Sequence, residues 1–207
     1  MIDSTVATLA RLVCGPTAVW HCDPYQPAQR IYFANHASHL DFVVLWATLP
    51  RDARRSVRPV AGRDYWERTR IRRYFAREVF RAILVQRTPA GTTDRAAAAR
   101  EAIETMASEM GEKTSLIVFP EGTRSVTGEV GPFKSGLYHL GRAVPRAELV
   151  PVYLHNLNRI LPRGESLPVP MLSRVTFGAP LGVGPTESKD EFLDRARAAL
   201  LSLNASS

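Results

Sequence analysis

Apolar residues along this chain fall into two alternating patterns, short runs rich in β-branched and aromatic residues and longer stretches with helical periodicity. Arg30-Ile31-Tyr32-Phe33-Ala34, Ile83-Leu84-Val85-Gln86 and Ser115-Leu116-Ile117-Val118-Phe119 read as buried strands. Arg58 to Ala61, Leu149 to Tyr153 and Arg174 to Phe177 add further strands. Helices are predicted from Asp41 to Leu49, Asp64 to Phe80, Thr93 to Glu112, near Gly136 to Ala143, and Lys189 to Leu203. A proline-rich surface loop is expected between Asn156 and Pro170, and a Gly/Pro turn between Gly178 and Pro185 leads into the last helix. This alternation predicts an α/β fold, a single domain with a mainly parallel or mixed sheet flanked by helices.

A chain of 207 residues, 45% of them hydrophobic, has material for one substantial core. The expected organisation is a short N-terminal helical segment over 1–29, a motif-bearing core over 30–153 and a C-terminal part over 154–207. No apolar run approaches the ~20 residues that span a bilayer. Met1 to Trp20 carries Asp3, Arg11, Gly15 and Pro16, so it reads neither as a signal peptide nor as a stop-transfer helix, and a cytoplasmic protein is expected. Cys14 and Cys22 make neither a disulfide framework nor a metal site and read as free thiols.

Candidate chemistry begins at Asn35-His36-Ala37-Ser38-His39-Leu40-Asp41, where the first strand hands over to a helix. Such turns at the carboxyl ends of strands are where open α/β sheets place ligands. Asp41 can reach back to His36, fix the imidazole tautomer and stabilise the imidazolium. That is a base and its orienter without a nucleophile, because no Gly-x-Ser-x-Gly elbow occurs and neither cysteine lies near a motif. The base is therefore expected to activate a hydroxyl of the substrate, with direct transfer and no covalent enzyme intermediate. Ser38 reads as a cap of the turn or helix start, and His39 as a surface or packing residue.

Phe119-Pro120-Glu121-Gly122-Thr123-Arg124-Ser125 follows a second strand. Gly122 lets backbone N–H groups approach an oxyanion, Thr123 adds a hydroxyl, and Arg124 offers a planar fork suited to phosphate. Glu121 orders Arg124 or another cation, or accepts from a substrate hydroxyl. Arg87, after its strand, and Lys134, in Pro132-Phe133-Lys134-Ser135-Gly136, can add cations from neighbouring loops.

With these residues in view, the chain resembles the glycerolipid acyltransferases. Their Asn-His-x-Ser-x-x-Asp block is matched by Asn35, His36, Ser38 and Asp41, and their Phe-Pro-Glu-Gly-Thr-Arg-Ser block by Phe119 through Ser125. Arg87 and Val150-Pro151-Val152 stand at the places of two weaker blocks, so the resemblance runs from about Arg30 to Tyr153. It implies His36 as general base, Asp41 as its orienter, and Arg87, Glu121, Gly122 and Arg124 at the acceptor. It also implies a glycerolipid acyltransferase-like fold, an acyl-CoA or acyl carrier protein donor and a lysophospholipid acceptor. No metal and no cofactor are expected. The family's N-terminal membrane anchor is reduced here to about twenty residues, so docking to the bilayer is expected to rest elsewhere.

The charge pattern offers one place for it. Lys and Arg number 27 against 20 acids, a net +7. Arg70, Arg73, Arg77 and Arg81 recur at helical spacing beside Ile71, Tyr74, Phe75 and Val79, which predicts an amphipathic helix that meets an anionic membrane surface or an acidic carrier protein. The expected location is peripheral, at the inner face of the cell membrane. Three rival classes fit less well. A metallohydrolase built on His36, His39 and Asp41 would need a different histidine spacing. Nucleic-acid binding leaves His36, Asp41 and Glu121 unexplained and has no signature here, so no nucleic-acid partner is expected. A noncatalytic lipid-binding protein would not need both His36 and Asp41.

Overall fold

The computed structural model describes residues 2–38, 40–86, 95–160 and 172–205. Its strands are β1 (Thr17–Trp20), β2 (Arg30–Ala34), β3 (Val57–Gly62), β4 (Ile83–Val85), β5 (Ser115–Val118), β6 (Glu148–His155) and β7 (Arg174–Phe177), in one sheet ordered β1-β7-β6-β2-β5-β3-β4. From β6 to β4 the neighbours are parallel. β7 runs antiparallel to β6, and β1 lies parallel to β7 at the edge. The sheet is thus mixed and helix-flanked, as the alternation in the sequence predicts.

The helices are α1 (Ile2–Cys14), α2 (Asp41–Thr48), α3 (Arg51–Ser56), α4 (Arg63–Trp66), α5 (Arg70–Tyr74), α6 (Arg95–Met110), α7 (Gly136–Ala143), α8 (Leu157–Ile160) and α9 (Lys189–Ala205). Within β2 the two-residue period sorts side chains between two cores. Tyr32 and Ala34 pack with Val44, Leu45 and Trp46 of α2 on one face. Ile31 and Phe33 pack with Met110 of α6, Leu140 of α7 and Phe192 of α9 on the other. Cover on both faces explains why the strands read as unbroken apolar runs rather than alternating ones. Phe33 and Ile31 are fully buried, each contributing on the order of 1.5–3 kcal/mol.

Topology places the functional crevice. β2 and β5 are parallel neighbours. The chain leaves β2 through α2, packs that helix on one face and returns as β3 on the far side of β5. It leaves β5 through α7, which packs on the opposite face, and returns as β6 on the far side of β2. Connections diverging to opposite faces from adjacent strands open a gap above their carboxyl ends, the place where α/β sheets bind ligands. His36 and Glu121 stand in the two loops that flank this gap.

Several elements differ from the sequence reading. β1 is an edge strand inside a segment expected to be only helical; its pairing partner β7 lies far along the chain, so no local signal announces it. The short, polar α3 also has no apolar period to reveal it. The predicted helix from Asp64 to Phe80 is broken into α4, α5 and a π-helical turn, Phe75–Val79. Thr69 is extended and caps α5, its hydroxyl accepting from Arg72 N, which restarts the helix there. The π-turn then aims Ala76 and Val79 into the core. In consequence no single regular helix carries Arg70, Arg73, Arg77 and Arg81, although Arg73 and Arg77 still converge on Glu67, at its carbonyl and its carboxylate. The crossover descends from the carboxyl end of β3 to the amino end of β4, leaving Arg70 and Arg73 on α5 and carrying Arg77 and Arg81 toward the other end of the sheet. Of the expected proline-rich loop, Leu157–Ile160 is helical and 161–171 lie outside the described residues. Among the described residues no helix is long and apolar enough to cross a membrane.

Candidate active site

Asn35 ends β2 by extending its ladder with a side chain. Its Nδ2 donates to the Leu154 carbonyl, and its Oδ1 accepts from Leu154 N at 2.8 Å. A side-chain amide reproduces both halves of a backbone pair here, so the loop that follows starts from a fixed point. His36 comes next. Its Nδ1 lies 2.8 Å from Asp41 Oδ2, and the same oxygen accepts from Ala37 N at 2.7 Å and Ser38 N at 2.8 Å. Asp41 opens α2 and is 1% exposed, so its charge is answered by amides, the imidazole and the positive end of the helix. With Nδ1–H donated to Asp41, the Nε2 of a neutral His36 is left as the basic nitrogen. Phe119, the residue after β5, stacks against the imidazole with ring centroids 4.2 Å apart and planes inclined by 21°. Ser38 Oγ accepts from Leu40 N at 3.3 Å, a turn contact ahead of α2.

Glu121 ties the two motifs together. Its Oε1 accepts from His36 N at 2.8 Å and its Oε2 from Gly131 N at 2.9 Å. The carboxylate is buried, and burial pushes its pKa above the usual glutamate range while the two amides and His36 pull it back. Sequence reasoning gives Glu121 a cation or a substrate hydroxyl as partner; the structure gives it two backbone amides. A second bond locks the loops together, Ser125 N donating to the His36 carbonyl at 2.7 Å. The histidine's own peptide is therefore held on both sides by the loop after β5.

Gly122 adopts φ +71°, a left-handed conformation that side chains rarely take. Lys134 lies directly over it, because a Cβ on Gly122 would stand 2.7 Å from Lys134 Nζ. Lys134 N in turn donates to the Pro120 carbonyl at 2.9 Å. Thr123 is exposed, and Arg124 is partly buried with an Nη1 that has no partner among the described residues. From α9, Arg197 donates to the carbonyls of Gly131 at 3.1 Å and Val130 at 2.8 Å, bracing the loop that Glu121 holds.

The structure thus gathers His36, Asp41, Glu121, Gly122, Thr123, Arg124 and Lys134 into the loops above β2 and β5. Arg87 and His39 lie outside the described residues. Asn35 was legible as part of a motif, but its ladder role was not. Phe119 reads as a strand residue, and nothing local points to Arg197. Among the described residues no group of three or more His, Cys, Asp and Glu side chains is arranged to hold a metal ion.

Over 137 residues, 63% of this chain, the sequence is 28% identical to a 1-acyl-sn-glycerol-3-phosphate acyltransferase of Cocos nucifera, and it spans 38% of that relative's length. The fold is similar to the crystal structure of the 1-acyl-sn-glycerophosphate (LPA) acyltransferase PlsC from Thermotoga maritima, with a TM-score of 0.73 and 18% identity over 99% of this chain and 78% of that one. The model of the family described as Acyltransferase matches residues 23–155, which contain β2 through β6 and every side chain of the crevice except Arg197. The chain belongs to the acyltransferase family.

Proposed function

We propose that this protein is an O-acyltransferase that moves a fatty acyl group from an acyl thioester to the free hydroxyl of a lysophosphatidic-acid-like acceptor. The observation that carries the reading is the His36–Asp41 pair. An imidazole held at Nδ1 by a buried carboxylate presents Nε2 as a base. The acceptor hydroxyl gives its proton to Nε2 as its oxygen attacks the thioester carbonyl, and Asp41 stabilises the imidazolium. Collapse of the tetrahedral intermediate breaks the C–S bond, and the proton passes from Nε2 to the departing sulfur. Arg124, Lys134 and Arg87 are assigned to the acceptor phosphate, with Gly122 and Thr123 shaping the turn that receives it. Glu121 acts behind them, setting the backbone of His36.

The donor is assigned as acyl-CoA or acyl carrier protein and the acceptor as a lysophospholipid at an anionic membrane surface, with the protein held peripherally at the inner face. Support for docking comes from exposed Ile71 and Tyr74 beside Arg70 and Arg73 on α5, and from Leu9 and Leu12 exposed on α1. To test the function, purified protein is offered a panel of lysolipids with both thioester types, and products are identified by mass spectrometry. Acylation of a phosphate-bearing lysolipid is expected. Hydrolysis of the thioester without transfer to any lysolipid hydroxyl would sink the reading.

A further inference from the structure

We propose that a cavity at the amino ends of β3, β4 and β5 is a binding site for a soluble anion bearing two or more phosphate groups. The cavity holds about 560 Å³ and is lined by Arg55 near the end of α3, Arg58 at the start of β3, Arg77 and Arg81 ahead of β4, and Lys113 ahead of β5. Among the described residues no acidic one lines it. It stands at the opposite end of the strands from His36.

Part of this charge has a local purpose. Arg58 Nε donates to the Arg81 carbonyl at 2.5 Å, and Arg81 donates to the Arg55 carbonyl, so both guanidiniums answer carbonyls where chain segments end. Glu109 pairs with Arg58 at 2.6 Å and Glu67 with Arg77 at 2.7 Å. Local pairing does not account for the rest. The only carboxylate near Arg55 among the described residues is the highly exposed Asp52 at 4.0 Å, and Lys113 has no ion pair there. Arg81 is also held at φ +47°, in the left-handed region that a branched or long side chain seldom occupies. Strain of that kind persists where surroundings fix it, and here the Arg81 carbonyl accepts from Arg58 and its guanidinium donates to the Arg55 carbonyl, with Arg81 lining the cavity.

The geometry decides the kind of ligand. A group of forked and point cations around a space of this size suits phosphate oxygens. A bilayer engaging this end would hold the crevice of His36 away from its lipid, so the ligand is a soluble phosphoanion rather than a membrane headgroup. The site shares no residue with the crevice, so anion binding there stands apart from the acyl-transfer reading; only the choice of a soluble ligand over a lipid headgroup rests on it.

The test uses the full chain and pyrophosphate as probe, titrated by calorimetry into the parent, an Arg124→Ala variant and an Arg55→Ala/Lys113→Ala variant. The two cations of the double variant are exposed and sparingly paired, so the fold should survive, as circular dichroism will check. Expected is saturable binding that Arg124→Ala retains and the double variant weakens about tenfold or more, with affinity falling as salt rises. Pyrophosphate bound equally well by the double variant, or lost in Arg124→Ala, would place the anion in the crevice and overturn the proposal. Absence of saturable binding by the parent would overturn it too. Sedimentation with phosphatidylglycerol vesicles separates the lipid source: the double variant should sediment like the parent. A loss of vesicle binding in that variant without a change in its pyrophosphate affinity would make these cations a membrane surface instead.

Discussion

At the carboxyl ends of β2 and β5, two buried carboxylates are committed to backbone amides and an imidazole; at the amino ends of β3, β4 and β5, exposed cations reach carbonyls and outnumber the acids beside them. Asp41 Oδ2 takes three N–H donors and Glu121 takes two, one on each oxygen. Removing any one of these groups strands a buried partner, which costs far more than an exposed contact. Around Arg55 and Lys113 the same deletion leaves only solvated neighbours. The difference teaches that the first end is preorganised for one geometry, as a general base must be, whereas the second keeps charge in reserve for something outside the fold.

The sharpest way to break the comparison is at His36. His36→Ala is expected to abolish acyl transfer while leaving the circular dichroism spectrum unchanged, and Asp41→Asn to lose roughly two to four decades in rate, since an amide cannot both accept from the imidazole and balance its charge. Near-normal turnover by a folded His36→Ala protein would remove the base from the mechanism. Next in size is Glu121→Gln, in which one amide of the pair on His36 and Gly131 must face an NH₂ group. A stability loss of about 1–3 kcal/mol is expected by chemical denaturation, with kcat falling and KM for the acceptor little changed. A pure KM effect would instead put Glu121 in direct contact with the acceptor.

Arg124→Ala is expected to have a smaller and more selective effect. It should raise KM for a phosphate-bearing acceptor about ten- to a hundredfold, with little effect on KM for the thioester, because a charge-assisted fork to phosphate is lost. Equal effects on both substrates would count against a phosphate role. The smallest effect lies outside both the crevice and the cavity. Glu187 accepts from Arg195 at 2.7 and 2.8 Å and from Gly184 N, which lowers its pKa from 4.5 to about 2. A depressed carboxylate stabilises the fold above its unfolded pKa and loses that contribution as pH falls toward the folded value. Glu187→Gln should therefore cost a few tenths to about 1 kcal/mol at neutral pH, the range of exposed ion pairs, and the difference from the parent should vanish between about pH 4.5 and 2. An equal deficit at both pH values would assign the effect to shape rather than charge.

How far the sequence could be read depended on the distance over which each feature is determined. β2, β5 and α7 were legible because a fully buried strand or an amphipathic helix writes its environment into consecutive residues. The crossover from Arg63 to Phe80 misled for the same reason. Its apolar residues keep a helical period, but the segment breaks at Thr69 and turns π-helical at Phe75, and its Trp66 and Phe80 pack on Phe42 and its Phe80 on Trp46, contacts that local periodicity does not record. Position of the crevice was legible as the carboxyl ends of the strands at Arg30 and Ser115, though not that these two strands would be neighbours in the sheet.

By itself the sequence determined the chemical types present: a histidine with a carboxylate within reach, a glycine turn followed by an arginine, and alternating elements that must stack as helices on a sheet. Spacing within one turn suffices for those, because covalent connectivity already holds the groups near one another. Only the tertiary structure decided that Glu121 grips the peptide of His36, that Phe119 stacks on its ring, that Arg197 of α9 braces the loop Glu121 holds, and that Arg77 and Arg81 join Arg55, Arg58 and Lys113 around a cavity at the other end. Each of these joins residues far apart in the chain, and such a contact is fixed by the order of strands in the sheet rather than by its neighbours in sequence.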